Sequence, residues 1–174
     1  MADKICDHKS VGVLVERENP ETGEKELLLI ERKKLPFGFA PPAGHIDNHG
    51  TAKQAAKDEL QEEVGLTVED KDLILRLEGI KYNPCRRISG NNFHFHYWHV
   101  FEALKFSGEL KPSPDEAKQA GWYGHDQLLA LAQRTRDYLA GKILEPDWQQ
   151  SPGLEPVWCE MLIELNIVWH EALT

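Results

Sequence analysis

The stretch "AGHIDNHGTAKQAAKDELQEEVGL", residues 43–66, decides how this chain folds. Thr51 followed three residues later by Gln54 is typical of the capping box that begins a helix. Gly65 stands where a helix would end, because glycine readily adopts the left-handed conformation that closes a helix. The stretch therefore predicts a loop followed by a helix over residues 51–64.

Three glutamates on this predicted helix form one acidic cluster. Residues three and four apart are neighbours on a helix surface, which brings Glu59, Glu62 and Glu63 together. At about 100° per residue, Glu59 and Glu63 fall on the same side as Ala52 and Ala56, the small-residue side expected to face inward. Like charges there repel one another and lose hydration, and a divalent cation bound by carboxylate oxygens resolves both costs. A solvated acidic face is the alternative interpretation of the same pattern.

The segments around this stretch predict a domain that mixes strands and helices. "SVGVLVERE" and "KELLLIERKK" are typical of strands, and the turn residues of "NPETGEK" between them predict a hairpin. The prolines and glycines of "LPFGFAPPAGH" predict a shaped loop without regular structure. Further strands are expected in "LILRLEGIKY", "FHFHYWHVFEAL" and "AGWYG", with a turn at "SGNN" between the first two.

Two more helices are expected in the last third of the chain. The first is "HDQLLALAQRTRDYL", and a proline-punctuated loop over residues 145–156 leads to the second, "VWCEMLIELNIVWHEAL". Leu162, Leu165, Val168 and Trp169 recur on one face of that last helix. Such a face is expected to be either a core face or a homodimer interface.

Composition excludes several classes of protein. The 174 residues, 41% of them hydrophobic, are of single-domain size, and one domain over residues 1–174 is expected. A formal net charge of -9, from 20 Lys+Arg and 29 Asp+Glu, argues against binding of a nucleic-acid polymer. Three widely spaced cysteines and a polar N-terminal segment favour reduced thiols in a cytoplasmic protein. The apolar runs are too short to cross a bilayer, so no membrane association is expected.

Residues 44–66 resemble the Nudix box, G-x5-E-x7-R-E-U-x-E-E-x-G-U, in which U is a bulky aliphatic residue. Gly44 matches the first glycine, and "ELQEEVGL", residues 59–66, matches the second half without a gap. "PPAGHI", "LLLIERKK" and "AGWYGHDQL" are weaker likenesses that extend the resemblance over roughly residues 9–132. The resemblance implies an α/β (α+β) fold, a Nudix-like α/β/α sandwich with a mixed sheet, here with an extra C-terminal helix.

Two positions depart from the box. Gly50 stands where the family has its first Glu, and Asp58 stands where the family has Arg. The resemblance implies that those two family residues brace the loop against the helix through an ion pair, so this chain lacks both partners. Asp58 is also expected to add negative charge beside the cluster. The departures bear on metal geometry and catalytic rate, but they leave the three glutamates in place.

The resemblance implies a Mg²⁺-dependent hydrolase, with Mn²⁺ as the alternative ion. Its substrate would be a nucleoside diphosphate derivative or a related diphosphate metabolite, cleaved at the pyrophosphate linkage. A cation screens the anionic pyrophosphate and acidifies a bound water. The family pattern assigns Glu59 and Glu63 to catalysis and metal binding, with Glu62 and the carbonyl of Ala43 as further metal ligands.

The remaining site residues are expected outside the box. Glu116 stands about where the family often has its general base, and Asp115 competes for that role. Guanidinium groups bind phosphate oxygens, and aromatic rings stack on bases. The candidate substrate-binding residues are Arg32, Arg86, Arg87 and Phe39, together with Tyr82 and Trp122.

Three alternative interpretations remain open. His94 and His96 share one face of a strand and could hold Zn²⁺, but no cysteine stands near them in the sequence, so hydrogen-bonded histidines are favoured. A Nudix-fold module that binds a nucleotide without hydrolysing it would account for Gly50 and Asp58. An isomerase of isoprenoid diphosphates would need a reactive cysteine, for which only Cys85, beside its arginines, is a candidate.

Overall fold

The computed structural model describes residues 5–85, 87 and 94–169. Its strands are β1 (Lys9–Glu18), β2 (Lys25–Arg32), β3 (Phe39–Ala40), β4 (Ala43–His45), β5 (Leu66–Thr67), β6 (Leu73–Lys81), β7 (His96–Ala103), β8 (Ser107–Gly108) and β9 (Ala117–Gly124). Its helices are α1 (Ala52–Val64), α2 (His125–Leu139), α3 (Glu145–Gln150) and α4 (Pro156–Glu164), and a 3₁₀ turn spans Asp70–Asp72. The turn predicted at residues 89–92 lies outside the described residues.

Strand β1 is a central strand of the main sheet because it pairs along both of its edges. It runs parallel to β7, from Lys9 opposite Tyr97 to Val15 opposite Ala103. Its other edge pairs with β4 and then with β2, which forms the predicted hairpin. The strand order is β3-β2-β1-β7-β6, with β9 added on β2. The β1–β7 pair is parallel and the β1–β2, β2–β9 and β6–β7 pairs are antiparallel, so the sheet is mixed.

Alternate residues of the central strands face two different layers, as the pleat of a strand requires. Leu27 and Leu29 of β2 pack with α2 and α4 around the fully buried Trp158. Leu28 and Ile30 pack on the opposite face with α1. The predicted α/β/α sandwich with a mixed sheet is therefore confirmed. Among the described residues, no helix combines the length and the apolar character that crossing a membrane requires.

Two segments that were expected to be irregular contain short regular elements. Strands β3 and β4 lie within "LPFGFAPPAGH", where pairing with β2 and β1 imposes strand geometry on two and three residues. Helix α3 lies within the loop predicted over residues 145–156. Pro146 is compatible with this helix because it stands in the first turn, where its missing N–H removes no intrahelical hydrogen bond.

The last helix is shorter than the sequence pattern predicts. Helix α4 ends at Glu164, and Asn166 adopts a positive φ of 56°. Val168 is buried in the core, whereas Trp169 is 59% exposed. The predicted helical face therefore does not continue to residue 169, although its first part does pack in the core.

Candidate active site

Helix α1 carries the acidic cluster, and its ends form where the sequence predicts. The hydroxyl of Thr51 accepts a hydrogen bond of 3.1 Å from the backbone N–H of Gln54. Gly65 ends the helix with a φ of 76°. The side chain of Gln54 binds Asp58 instead of the cap, so half of the predicted capping box forms. Apolar residues of α1 pack on the sheet and fix the direction in which the glutamates point.

Glu63 is a deeply buried acid, only 7% exposed. Its Oε2 accepts a hydrogen bond of 2.8 Å from the backbone N–H of Ala43. Burial, followed by the nearby charge of Glu59, raises the pKa of Glu63 from 4.5 to about 8. Burial and repulsion from Glu62 raise the pKa of Glu59 to about 7. Glu59 and Glu63 therefore point inward, as the helical spacing predicts, while Glu62 lies at the exposed rim.

Gly44 lies directly against the carboxylate of Glu59. A Cβ added at Gly44 would overlap this carboxylate, whose three atoms lie within 2.6 Å of the position that the Cβ would take. Only glycine permits such a close approach of backbone and side chain. The peptides at residues 43 and 44 therefore contact both buried acids, and this contact brings Ala43, a predicted metal ligand, to the cluster.

The acids line a cavity of about 380 Å³ between α1, β4 and the loops that follow β6 and β8. The backbone N–H of Ser113 donates a 2.8 Å hydrogen bond to the carbonyl of Glu63, which ties the second of these loops to the end of α1. Glu116 and Asp115 both line the cavity. Lys34 Nζ lies 2.6 Å from Glu116 Oε1 and holds that carboxylate at the cavity wall.

The donor set of this cavity fits a hard divalent cation. Carboxylate oxygens are the ligands that Mg²⁺ and Mn²⁺ prefer. After burial, the nearby charge of Glu59 is the largest contribution that raises the pKa of Glu63. A dication between them would offset the repulsion that burial intensifies.

Two of the predicted phosphate-binding arginines line the cavity. The Nε of Arg32 donates a 2.9 Å hydrogen bond to the carbonyl of Pro36. Arg32 Nε lies 3.6 Å from Glu155 Oε2, and burial raises the pKa of Glu155 although Arg32 opposes the rise. Arg87 donates two hydrogen bonds, of 2.7 and 3.1 Å, to Asp47. Arg86, the third predicted arginine, lies outside the described residues.

The predicted base-stacking aromatics lie in three different places. Phe39 is buried in the core, 5.4 Å from the ring of Tyr123, and is not brought to the cavity, because β3 pairs with β2 and directs the ring inward. Trp122 stacks on Phe106 beside the core on the α1 side of the sheet. Tyr82 is exposed and lines a second cavity of about 390 Å³ that adjoins the first.

The two departures from the Nudix box are replaced by a different brace. Asp58 Oδ2 lies 2.7 Å from His49 Nδ1, and Asp58 Oδ1 accepts a 2.8 Å hydrogen bond from Gln54. Desolvation acts to raise the pKa of Asp58, and the hydrogen bonds from His49 and Gln54 act to lower it. The net effect is a lowered pKa. Asp58 therefore keeps its negative charge, but its carboxylate contacts His49 of the loop and Gln54 of α1. Gly50 has a φ of 88°, a conformation that favours glycine over the family's Glu.

Four neighbouring side chains, three of which (His45, Cys85 and His96) line the same cavity, were not grouped by the sequence. We call them the thiol–imidazole cluster: Cys6, His45, Cys85 and His96. Their positions in the chain give no recognisable spacing, and the β1–β4 and β1–β7 pairings are what bring them together. No cysteine is near His96 in the sequence, but one is near it in the structure: Cys6 Sγ lies 3.2 Å from His96 Nε2. His94 lies apart, where its Nδ1 accepts a hydrogen bond from the backbone of Cys85.

An α/β/α sandwich with a mixed sheet, in which a carboxylate-bearing helix follows a glycine loop, defines a domain of the Nudix type. The family model described as NUDIX domain matches residues 7–141. The chain belongs to the Nudix family. Comparison with curated proteins gives no significant match.

Solved structures of the same fold include hydrolases and a ligand-binding domain. A MutT NUDIX hydrolase from Burkholderia pseudomallei is 25% identical, with a TM-score of 0.55 over 68% of this chain and 84% of that chain. The NUDIX domain of Shewanella oneidensis NrtR, complexed with ADP ribose, is 14% identical, with a TM-score of 0.60 over 94% of this chain and 87% of that chain. A C. elegans Ap4A hydrolase is 19% identical, with a TM-score of 0.51 over 76% of this chain and 98% of that chain.

Proposed function

We propose that the protein is a Mg²⁺-dependent hydrolase, also active with Mn²⁺, that cleaves the pyrophosphate linkage of a nucleoside diphosphate derivative. The observation that carries this proposal is the pair of inward-facing acids, half-buried Glu59 and buried Glu63, with pKa values raised to about 7 and about 8 at the wall of a polar cavity. Two repelling carboxylates in the interior destabilise a protein unless a cation uses them. The likeness to a MutT NUDIX hydrolase at 25% identity supports the same activity.

The metal would be held by carboxylates of α1 beside the glycine loop. Glu59, Glu62 and Glu63 would be its side-chain ligands, with the peptide of Ala43 as a further contact. A bound divalent cation screens the negative charge of a pyrophosphate and acidifies a bound water. The hydrogen bond from Ala43 to Glu63 keeps one carboxylate oriented before any ion arrives.

Arg32 and Arg87 would contact the phosphate oxygens. Each guanidinium group is already oriented: Arg32 by a hydrogen bond to the carbonyl of Pro36, with Glu155 nearby, and Arg87 by two hydrogen bonds to Asp47. A guanidinium group has five N–H donors, so these pairings leave donors available to the substrate. Little side-chain entropy would then be lost on binding, which favours a tightly positioned pyrophosphate.

Glu116 would accept the proton of the attacking water. Its carboxylate lines the same cavity as the buried acids, and Lys34 restricts its motion. Asp115 lines the cavity as well and is the rival for this role. A general base contributes about 10²–10⁴-fold to the rate of such a step, which makes the two residues separable by mutation.

The second cavity would take the nucleoside. It shares Leu35, Pro36 and Asn83 with the first cavity, so one extended ligand can occupy both. Its lining includes the exposed aromatic ring of Tyr82, which suits a planar base. A substrate with its phosphates at the acids and its base at Tyr82 matches the chemistry of each cavity.

The second candidate function is nucleotide binding without hydrolysis. The observation that favours it is that Arg32 and Arg87 are already paired with carboxylates, which reduces the positive charge available to a pyrophosphate. A NUDIX domain complexed with ADP ribose shares the fold. This function predicts a stable nucleotide complex in which the pyrophosphate survives.

Product formation from a panel of diphosphate substrates tests the proposal. The panel is nucleotide sugars, dinucleoside polyphosphates, ADP-ribose and nucleoside triphosphates, each incubated with and without Mg²⁺ and resolved by anion-exchange chromatography. We expect Mg²⁺-dependent cleavage of at least one compound. We expect Glu116→Gln to reduce turnover about 10²–10⁴-fold, and the matched variant Asp115→Asn to retain it. Lasting thermal stabilisation by a nucleotide with no product from any compound would establish the binding module instead.

A further inference from the structure

The thiol–imidazole cluster gathers four potential metal ligands from four separate parts of the chain. Cys6 precedes β1, His45 ends β4, Cys85 follows β6, and His96 begins β7. One ligand atom from each residue lies within 4.8 Å of those of the other three. Three of the residues are buried and His45 is half-buried, so the cluster is largely removed from water.

Three sulfur-to-nitrogen distances within the cluster match the edges of a zinc tetrahedron. With Zn–S of about 2.3 Å and Zn–N of about 2.0 Å, tetrahedral geometry places sulfur and nitrogen ligands about 3.5 Å apart. Cys6 Sγ lies 3.5 Å from His45 Nε2 and 3.2 Å from His96 Nε2. Cys85 Sγ lies 3.5 Å from His45 Nε2. A metal ion could therefore enter with small movements of the side chains.

The hydrogen bonds around His96 leave Nε2, the ring nitrogen that faces Cys6, available as a metal ligand. Trp98 Nε1 can only donate a hydrogen bond, and it lies 3.2 Å from Asn83 Oδ1. Asn83 Oδ1 must therefore be the acceptor. His96 Nδ1 lies 3.1 Å from the same oxygen and must therefore donate to it. A neutral His96 ring then has its lone pair on Nε2, which faces the sulfur of Cys6. Fixing the tautomer of a ligating histidine through its second nitrogen is usual in metal sites.

The sulfur of Cys6 has a backbone donor of its own. The N–H of His8 lies 3.4 Å from Cys6 Sγ and points at it as a hydrogen-bond donor. Such a bond stabilises negative charge on a coordinated sulfur. The structure thus offers a thiol with an N–H donor and an imidazole with a fixed tautomer, both aimed at the same small volume.

We propose that the thiol–imidazole cluster binds one Zn²⁺ in a closed, structural site, distinct from the acidic site on α1. Two sulfur and two nitrogen ligands complete a zinc tetrahedron and leave no position for a substrate. Soft sulfur ligands select zinc, whereas the carboxylates of α1 select hard cations. The two sites are therefore expected to hold different metals side by side.

This zinc ion would anchor the wall of the reaction cavity. His45 directly follows Gly44, whose backbone contacts the buried acids, and Cys85 lies two residues before Arg87. The ion would join these two segments to the N-terminal residues and to β7. The zinc ion would fix the position of the cavity wall and would take no part in hydrolysis. The zinc proposal can therefore be tested independently of the proposed activity.

Metal content of the purified full-length protein tests the site. We expect about one zinc per chain by atomic emission after purification without chelators, and after exchange into zinc-containing buffer. Cys6→Ala and Cys85→Ala should each lose this zinc. The matched variant Cys159→Ala, in the core of α4, should retain it. Glu63→Gln should also retain it, because it alters only the acidic site.

A second measurement on the wild-type chain keeps the test decisive if the cysteine variants do not fold. Replacement of zinc by Co²⁺ should give the visible absorption bands of a tetrahedral site and a sulfur-to-cobalt charge-transfer band. The proposal is overturned if reduced wild-type protein takes up no zinc or cobalt, or if Co²⁺ shows no sulfur band. It is also overturned if zinc is lost in Glu63→Gln but retained in both cysteine variants, or if alkylation and mass spectrometry of the protein as purified find Cys6 and Cys85 joined as a disulfide.

Discussion

Replacing the buried acid Glu63 by glutamine should stabilise the metal-free protein, although it removes a proposed catalytic residue. The change Glu63→Gln removes the charge and keeps an oxygen that can accept the hydrogen bond from the backbone N–H of Ala43. The folded pKa of Glu63 lies at about 8, above the ordinary value of 4.5. Between these pH values the folded state holds a proton that the unfolded state has released. The free energy of unfolding therefore falls as the pH rises through this window.

The size of the effect follows from the two pKa values. One pKa unit corresponds to about 1.4 kcal/mol, so the raised pKa of Glu63 lowers the stability of the metal-free protein by about 4 kcal/mol between low pH and pH 8. The substitution removes this loss. For a domain of this length, a difference of that size raises the melting temperature by about 8–16 °C. At about pH 5 both proteins have a neutral side chain here, and their melting temperatures should agree to within a few degrees.

Thermal unfolding in buffer without added Mg²⁺ or Mn²⁺, at about pH 5 and about pH 8, measures the effect. Glu62→Gln is the matched control, because Glu62 is exposed and its removal should change stability by about 0.5 kcal/mol or less. Millimolar Mg²⁺ should then raise the melting temperature of the wild type at the higher pH and leave Glu63→Gln unchanged. A Glu63→Gln protein that melts at or below the wild-type temperature in the buffer without Mg²⁺ at pH about 8 would refute the reasoning.

Three further substitutions, with one control, test the loop in front of α1 and its contacts with the helix. Gly44→Ala should weaken Mg²⁺ binding, measured by calorimetry, by roughly tenfold or more, because displacing the Glu59 carboxylate costs about 1–3 kcal/mol. The control Gly121→Ala, whose added Cβ meets only an ordinary contact, should bind Mg²⁺ normally. Equal Mg²⁺ affinities of Gly44→Ala and the wild type would exclude the proposed crowding. His49→Ala and Asp58→Ala should each lower the free energy of unfolding by about 1–2 kcal/mol, and a double-mutant cycle in urea should give a coupling of about 0.5–1.5 kcal/mol; additive effects would mean that these side chains do not form a brace.

The parts of the site that follow from local spacing could be predicted from the sequence. The inward direction of Glu59 and Glu63 follows from helical periodicity, and the end of α1 follows from Gly65. These features depend on residues within one or two helical turns, where geometry is fixed by the backbone. The hairpin of β1 and β2 was predictable for the same reason, because a short turn joins its strands.

The parts that depend on distant pairing could not be predicted. Ser10 stands opposite both His45 and Trp98, and these two registers gather the thiol–imidazole cluster around the start of β1. No spacing within the sequence encodes either register. The exchange of the family's brace for His49 and Asp58 was also missed, because a histidine one residue away from the expected position carries no signal until the loop conformation is known.

The parallel pairing of β1 with β7 also implies an order of assembly when the chain folds. The hairpin and α1 need only local contacts, whereas Cys6 and His96, which flank the paired segments, are 90 residues apart. Contacts between such distant residues form late, because closing the loop costs entropy before any interaction compensates for it. During synthesis, the acidic helix would therefore leave the ribosome well before the opposite wall of its cavity existed.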